Sequence, residues 1–237
     1  AAEDLARLVA RVEATWSAYG EADAHWSVLT EERFRSGRIA ETREDFYRTG
    51  EHSVARLEAL LARHGLSLGA LGHVTDYGCG VGRVAAAIAR RGPAVAAVDI
   101  SAGHLALAAE HLAEQGLDRV ETRRIARLAE IDGLPETDLF FSTIVLQHNP
   151  PPVIAEILRR ALARVRPGGL ACFQVPTYRT GYDYDLARDL AGAPGAMEMH
   201  VLPQEAVFAA LDHAGFVPLE VMADDLVGNP NFESRVF

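Results

Sequence analysis

Between Asp4 and Tyr19 the apolar residues Leu5, Leu8, Val9, Val12 and Trp16 recur at the three- and four-residue spacing of one helix face, with Asp4 placed as a cap. An irregular aromatic stretch, Ala24 to Thr30, follows. Helical spacing resumes from about Arg38 through Phe46 and Tyr47, and Gly50 interrupts it. A third helix is predicted from about Ser53 to Arg63, with Val54, Leu57, Leu60 and Leu61 on one face and Gly65 as its C-terminal cap. The first 70 residues are therefore expected to be helical and to precede any strand.

From residue 71 short apolar runs alternate with helical ones, the pattern of parallel βαβ units. Strands are predicted over His73–Tyr77, Ala94–Asp99, Val120–Arg124, Leu139–Val145, Gly169–Val175, Val217–Ala223 and Phe232–Phe237. Crossover helices are predicted over Arg83–Arg91, Gly103–Gln115, Pro152–Val165 and Gln204–Ala214. Seven strands with four crossovers describe a doubly wound α/β sheet. The chain thus reads as an N-terminal helical lid or extension (1–70) and a ligand-binding domain (71–237). Between the fifth strand and its helix, Tyr178 to Leu202 is an insertion rich in Tyr, Asp, Gly and Met. Connections beyond about 12–15 residues in a compact domain usually carry function.

At 237 residues, 49% of them apolar and 24% charged, the chain has ordinary globular composition. Every cation is arginine. A net charge of −10 with no basic run argues against nucleic acid as a ligand. The two cysteines, Cys79 and Cys172, lie far apart with no neighbour at metal-ligand spacing, so neither a disulfide framework nor a zinc site is expected, and a reducing, cytoplasmic setting fits. Neither a signal peptide nor a membrane span is indicated. The missing initiator Met and the abrupt end at Arg235-Val236-Phe237 suggest trimmed termini or a domain of something longer, and an additional domain or a homodimer is an open expectation.

The sharpest signal is Asp76-Tyr77-Gly78-Cys79-Gly80-Val81-Gly82-Arg83, directly after the first strand and opening a helix. Glycines allow a tight turn there and let a ligand approach the backbone with no Cβ in the way. Asp99 ends the second strand about 20 residues downstream, the offset at which an acid accepts from ribose hydroxyls. The pair narrows the ligand to an adenosine-type cofactor, and Asp99 as a mere helix cap would leave the glycines unexplained.

On these residues the segment from His73 to Ser101 resembles motifs I and II of the class I S-adenosylmethionine-dependent methyltransferases. The resemblance continues through Asp138-Leu139-Phe140-Phe141-Ser142, Ile144-Val145-Leu146-Gln147-His148, the turn Arg166-Pro167-Gly168-Gly169, and Gly215-Phe216 with the two final strands. It implies a seven-stranded Rossmann-like sheet of order 3-2-1-4-5-7-6, with residues 71–237 as the S-adenosylmethionine-binding domain, and S-adenosylhomocysteine as product. It also implies a cofactor site built from Asp76, Gly78, Cys79, Gly80, Gly82, Arg83, Asp99, Ile100, Val145 and Gln147, with Asp76 toward the cofactor amino group. Many members carry an acid after the third strand, where this chain reads Arg124-Ile125-Ala126-Arg127. Ile125 and Ala126 are assigned to the adenine wall instead, with Asp132 the nearest acidic alternative.

In open α/β sheets ligands lie beyond the carboxyl ends of the strands, so Gln147-His148-Asn149 and Pro176-Thr177-Tyr178-Arg179 are expected to face one crevice. Methyl transfer to a hydroxyl needs alignment and removal of a proton, for which a histidine base suits. His148 and His200 are the candidates. Trp26, Tyr47, Asn149, Tyr178, Arg179 and Glu198 are candidate acceptor contacts, with Trp26, Phe34, Phe46 and Tyr47 reading equally as a lid or as apolar anchors of the N-terminal helices. No metal is expected, since Asp183, Asp185 and Asp189 show no fixed ligand geometry. The function expected is methyl transfer to oxygen, or nitrogen, of a small polar, sugar-like or secondary-metabolite acceptor. An NAD-dependent oxidoreductase and a catalytically silent binding module stand as alternatives.

Overall fold

A computed structural model describes residues 2–237. Three N-terminal helices, α1 (Ala2–Ala22), α2 (Ala24–Val28) and α3 (Ile39–Arg63), precede the first strand. Then follow β1 (His73–Tyr77), α4 (Arg83–Ala89), β2 (Ala94–Asp99), α5 (Ala102–Glu114), β3 (Val120–Arg124) and β4 (Thr137–Ser142). The chain finishes with α6 (Pro151–Leu162), β5 (Val165–Arg179), α7 (Leu186–Ala191), α8 (Gln204–His213), β6 (Met222–Asp224) and β7 (Phe232–Val236). The seven strands form a sheet of order β3-β2-β1-β4-β5-β7-β6, the order expected of the methyltransferase-like fold. No described helix is long and apolar enough to cross a membrane.

The chain divides into two compact units. One comprises Trp16–Ile125 and Thr137–Leu139; the other comprises the described residues up to Thr15, Ala126–Glu136 and Phe140–Phe237. In the first, the glycine-loop unit, β1 and β2 pair in parallel from His73 opposite Ala94 to Tyr77 opposite Val98, and β3 continues the parallel ladder on β2. Val74 and Val95 to Val98 are buried, as is nearly all of α4, which accounts for their apolar runs. In the second, the C-terminal unit, β7 runs antiparallel to both β5 and β6. Helix α6 starts on Pro151 and Pro152, whose missing N–H groups are harmless in a first turn. It buries Val153, Ile154, Ile157, Leu158, Ala161 and Leu162 on one stripe.

Several boundaries differ from the sequence expectation, each for a local reason. Gly50 does not break the N-terminal helix: α3 is continuous across it. A Cβ at Gly50 would stand 2.1 Å from the Arg83 carbonyl oxygen, so this glycine serves the close approach of α3 to α4. Helix α1 begins at Ala2, placing Asp4 in its first turn rather than at a cap. Strand β4 stops at Ser142 because Ile144 takes φ +61, leaving the extended region, and a 3-10 turn Leu146–His148 follows. The expected strand at Val217–Ala223 shrinks to Met222–Asp224; Pro218 offers no ladder donor, and Val217 and Leu219 stay exposed. Conversely β5 extends to Arg179, because β7 supplies an antiparallel partner as far as Phe232.

Candidate functional site

The end of β1 and the loop after it form a cradle in the glycine-loop unit. Gly78, Gly80 and Gly82 have φ of +79, +53 and +82, conformations that side-chain-bearing residues rarely hold. Val98 receives the N–H groups of both Gly78 and Cys79, at 2.7 and 2.9 Å, which folds the loop onto the end of β2. There Asp99 accepts from the Gly80 N–H at 2.8 Å through one oxygen and from the Ser101 N–H at 2.9 Å through the other. Asp99 is thus a brace between the loop and the start of α5, and each oxygen retains a lone pair for a hydroxyl donor. Ser101 itself caps α5.

Asp76 sits beneath this loop, 3% exposed, with one carboxylate oxygen lacking a hydrogen-bond partner. Burial pushes it up to about 7 although the Arg83 charge pulls the other way. Arg83, 6% exposed, is itself held down to about 10 by burial. Its guanidinium donates to Ser53 Oγ at 3.0 Å and Thr49 Oγ1 at 3.4 Å, so it points to α3. Arg83 thereby ties α4 to α3. A buried acceptor left unpaired costs about 1–3 kcal/mol, which an incoming ammonium donor would recover. The donor set therefore fits a cofactor bearing an amino group and a ribose. Cys79 is buried, and burial raises its thiol well above the ordinary range, as befits a packed loop residue.

Helix α2 lies on the same loop. A Cβ at Gly80 would stand 2.6 Å from Val28 Cγ2. Ser27 Oγ donates to the Ala24 carbonyl at 2.9 Å and therefore accepts from His104 Nε2 at 2.9 Å, fastening α2 to α5. Burial lowers His104 below the ordinary histidine range, consistent with a neutral ring. Phe34, Phe46, Ala24 and Val81 form an apolar cluster with Val28 and Tyr47 packed against it. Trp26 carries the Arg35 guanidinium on its ring at 3.5 Å, and Tyr47 stacks on His111. These contacts hold Trp26 against Arg35 and Tyr47 against α5. Ile125 is buried and donates its N–H to the Asp99 carbonyl at 2.9 Å, while Ile100 accepts from Arg124 Nε at 3.1 Å.

In the C-terminal unit, the turn after β4 and the insertion hold the remaining candidates. Asn149 is buried and donates to the Val145 carbonyl at 3.0 Å, closing the turn. His148 Nδ1 lies 3.0 Å from the Glu198 carbonyl and its Nε2 lies 3.3 Å from Gln147 Nε2, and burial lowers this ring to about 4. The His200 N–H donates to the Gln147 carbonyl at 2.7 Å. His200, 8% exposed, places Nδ1 3.0 Å from the Tyr182 hydroxyl and Nε2 3.4 Å from a Glu198 carboxylate oxygen, with no hydrogen-bond partner on Nε2. Burial lowers His200 below the ordinary range despite Glu198. Glu198 and the buried Asp189 share Arg11 of α1. Tyr178 is 53% exposed and Arg179 lies over the Phe232 ring. The Ala126 N–H is taken by Glu130 Oε2 at 2.8 Å, and Asp132 pairs with Arg160.

Sequence reading missed Arg11, Val28, Tyr182 and the polar residues Gln174, Ser234 and Asp224, which hydrogen-bond in series behind Gln147. No motif marks them. Their partners stand tens or hundreds of positions away in the chain.

Residues 74–169 match the family described as a methyltransferase domain. Ubiquinone biosynthesis O-methyltransferases of Pseudomonas entomophila and Stutzerimonas stutzeri are 37% and 36% identical over 101 residues, which are 42% of this chain and 42% of each relative. The match thus spans about two fifths of the curated relatives. Among solved structures, magnesium protoporphyrin IX methyltransferase from Synechocystis PCC 6803 with bound S-adenosylmethionine superposes with a TM-score of 0.60 at 16% identity, covering 95% of this chain and 94% of that one. That likeness is one of fold.

Proposed function

We propose that this chain, which carries a class I S-adenosylmethionine-dependent methyltransferase domain, moves a methyl group to an oxygen of a small polar acceptor, a sugar-like or secondary-metabolite alcohol. The observation that carries the reading is Asp76: a buried carboxylate with an unpaired oxygen under a loop of three glycines at positive φ. The curated relatives are O-methyltransferases, which favours oxygen over nitrogen.

When bound, S-adenosylmethionine supplies a methyl group already activated on a sulfonium. Asp76 accepts from its ammonium, Asp99 from its ribose, and the glycine backbone admits it without steric conflict. Cys79 packs the loop, and Ile100 and Ile125 supply apolar wall. Arg83 fixes α3 against the loop start through Thr49 and Ser53. His200 takes the acceptor hydroxyl proton on Nε2, and the neighbouring Glu198 carboxylate stabilises the resulting imidazolium. A ring held neutral by burial is in the basic form at pH 7. Residues 178–202 act as the acceptor cap, with Tyr178 and Arg179 offering exposed contacts.

Calorimetric titration with S-adenosylmethionine, S-adenosylhomocysteine and NAD tests the cofactor assignment. Binding of the first two with no heat from NAD is expected, followed by S-adenosylhomocysteine release in a screen of hydroxylated acceptors. Binding of NAD alone would replace the reading with an oxidoreductase, and binding of none with a silent module.

A further inference from the structure

Behind the turn after β4 runs a line of hydrogen bonds whose direction is determined at both ends by backbone groups with no choice of role. At one end the Ile144 N–H can only donate, and it meets Gln174 Oε1 at 2.8 Å. Gln174 on β5 therefore turns its NH2 to Ser234 Oγ of β7, at 2.6 Å, and to Gln147 Oε1, at 3.1 Å. Ser234, accepting from Gln174, passes its own proton to Asp224 Oδ2 of β6 at 2.8 Å. Gln147, accepting through its oxygen, presents its NH2 to His148 Nε2 and to Met199 Sδ, at 3.3 and 3.7 Å. His148 Nε2 must then be an acceptor and carry no proton. At the other end the Glu198 carbonyl can only accept, and it lies 3.0 Å from His148 Nδ1, which must therefore be N–H. The two ends, assigned independently, demand the same direction.

Gln174, Gln147 and Ser234 are 0%, 3% and 4% exposed, so water has little access to substitute for a missing partner. Reversing any one amide would put two donors or two acceptors face to face in a low-dielectric interior. Gln147 from the turn, the Glu198 carbonyl from the insertion and the His200 ring, whose charge would oppose protonation, face His148.

We propose that Asp224, Ser234 and Gln174 are positioning residues that act through Gln147 to hold His148 as a neutral Nδ1–H ring, clamping Glu198 and placing His200. The clamp has two bonds, His148 Nδ1–H to the Glu198 carbonyl and the His200 N–H to the Gln147 carbonyl. A ring engaged at both nitrogens takes no proton from an acceptor, so His148 positions and does not act as the base. The consequence for turnover rests on His200 serving as base; the direction of the hydrogen bonds does not.

Nitrogen-15 labelled full-length chain without any ligand gives the direct test, by long-range proton–nitrogen correlation of the histidine rings. One ring, identified by its loss in His148→Gln, is expected as the Nδ1–H tautomer with no protonation down to about pH 5, where an ordinary histidine is mostly charged. An Nε2–H tautomer, or protonation near the ordinary value, would overturn the proposal. In Gln174→Glu, read at a pH where the new side chain is ionised, the carboxylate still accepts from Ile144 but has nothing to donate to Gln147. The Gln147 amide is expected to turn over and His148 to gain a proton on Nε2, with the fold checked by circular dichroism. A folded Gln174→Glu with an unchanged His148 spectrum would also overturn it. Once an acceptor is in hand, the same variant is expected to lose about tenfold in kcat. The wild-type spectrum decides the issue if the variant does not fold, and decides it whether or not the chain binds S-adenosylmethionine.

Discussion

The cradle in the glycine-loop unit and the polar line in the C-terminal unit solve the same problem by different means. In the cradle, backbone shape does the work: Gly78, Gly80 and Gly82 hold positive φ, and the Asp99 carboxylate braces the loop through the Gly80 and Ser101 N–H groups. In the polar line, side chains from β5, β6, β7 and the turn after β4 pass hydrogen bonds from one to the next, and even the left-handed Ile144 is held by a side chain, Gln174. A backbone site tolerates few residue types at each position. A side-chain network tolerates more, provided the donors and acceptors still alternate.

The largest effect is expected where backbone conformation and space both forbid a side chain. Gly80→Val combines φ +53 with a Cβ 2.6 Å from Val28 Cγ2, and cofactor affinity by calorimetry is expected to fall at least about 100-fold. Unchanged affinity would remove the cradle from the site. Next is His200→Ala, for which a loss of about 10²- to 10⁴-fold in kcat is expected of a missing general base. His148→Ala should cost less, since that ring only positions. Equal losses in the two variants would erase the distinction drawn between them.

Gly50→Ala sharpens the comparison by testing a glycine that serves packing alone. Its Cβ would meet the Arg83 carbonyl, a backbone atom that cannot swing aside, so a loss of about 1–3 kcal/mol in denaturant unfolding is expected. The last effect concerns pH. Asp76 is raised from 3.8 to about 7, so its own contribution to stability is present at low pH and is lost as pH climbs through about 7. A cofactor ammonium reverses the preference by binding the carboxylate. Affinity is therefore expected to strengthen, by up to about tenfold per pH unit, as pH rises toward 7, and to be flat in Asp76→Asn when measured by calorimetry.

The same contrast explains what could be read in advance. Strands β1, β2 and β3 matched residue for residue, because each is a buried apolar run or a short run bounded by turn residues. The cradle was legible because its constraint is local: only glycine sits comfortably at those φ values, and Asp99 follows at the end of the next strand. Gly50 was misread because a glycine that breaks a helix and one that admits a neighbouring backbone look alike until that neighbour is present. The strand at Val217 was overextended because apolar alternation continued across Pro218, where no ladder was available.

By itself the sequence determined the parallel βαβ alternation, the glycine loop and its acid, because strand and helix periodicity and backbone sterics act over a few residues. Tertiary structure alone decided which partners the Gln147 and Gln174 amides and the His148 ring meet, and that Arg83 reaches α3. Each of those depends on partners far away in the chain, and a hydrogen bond has no direction until both of its ends are in place.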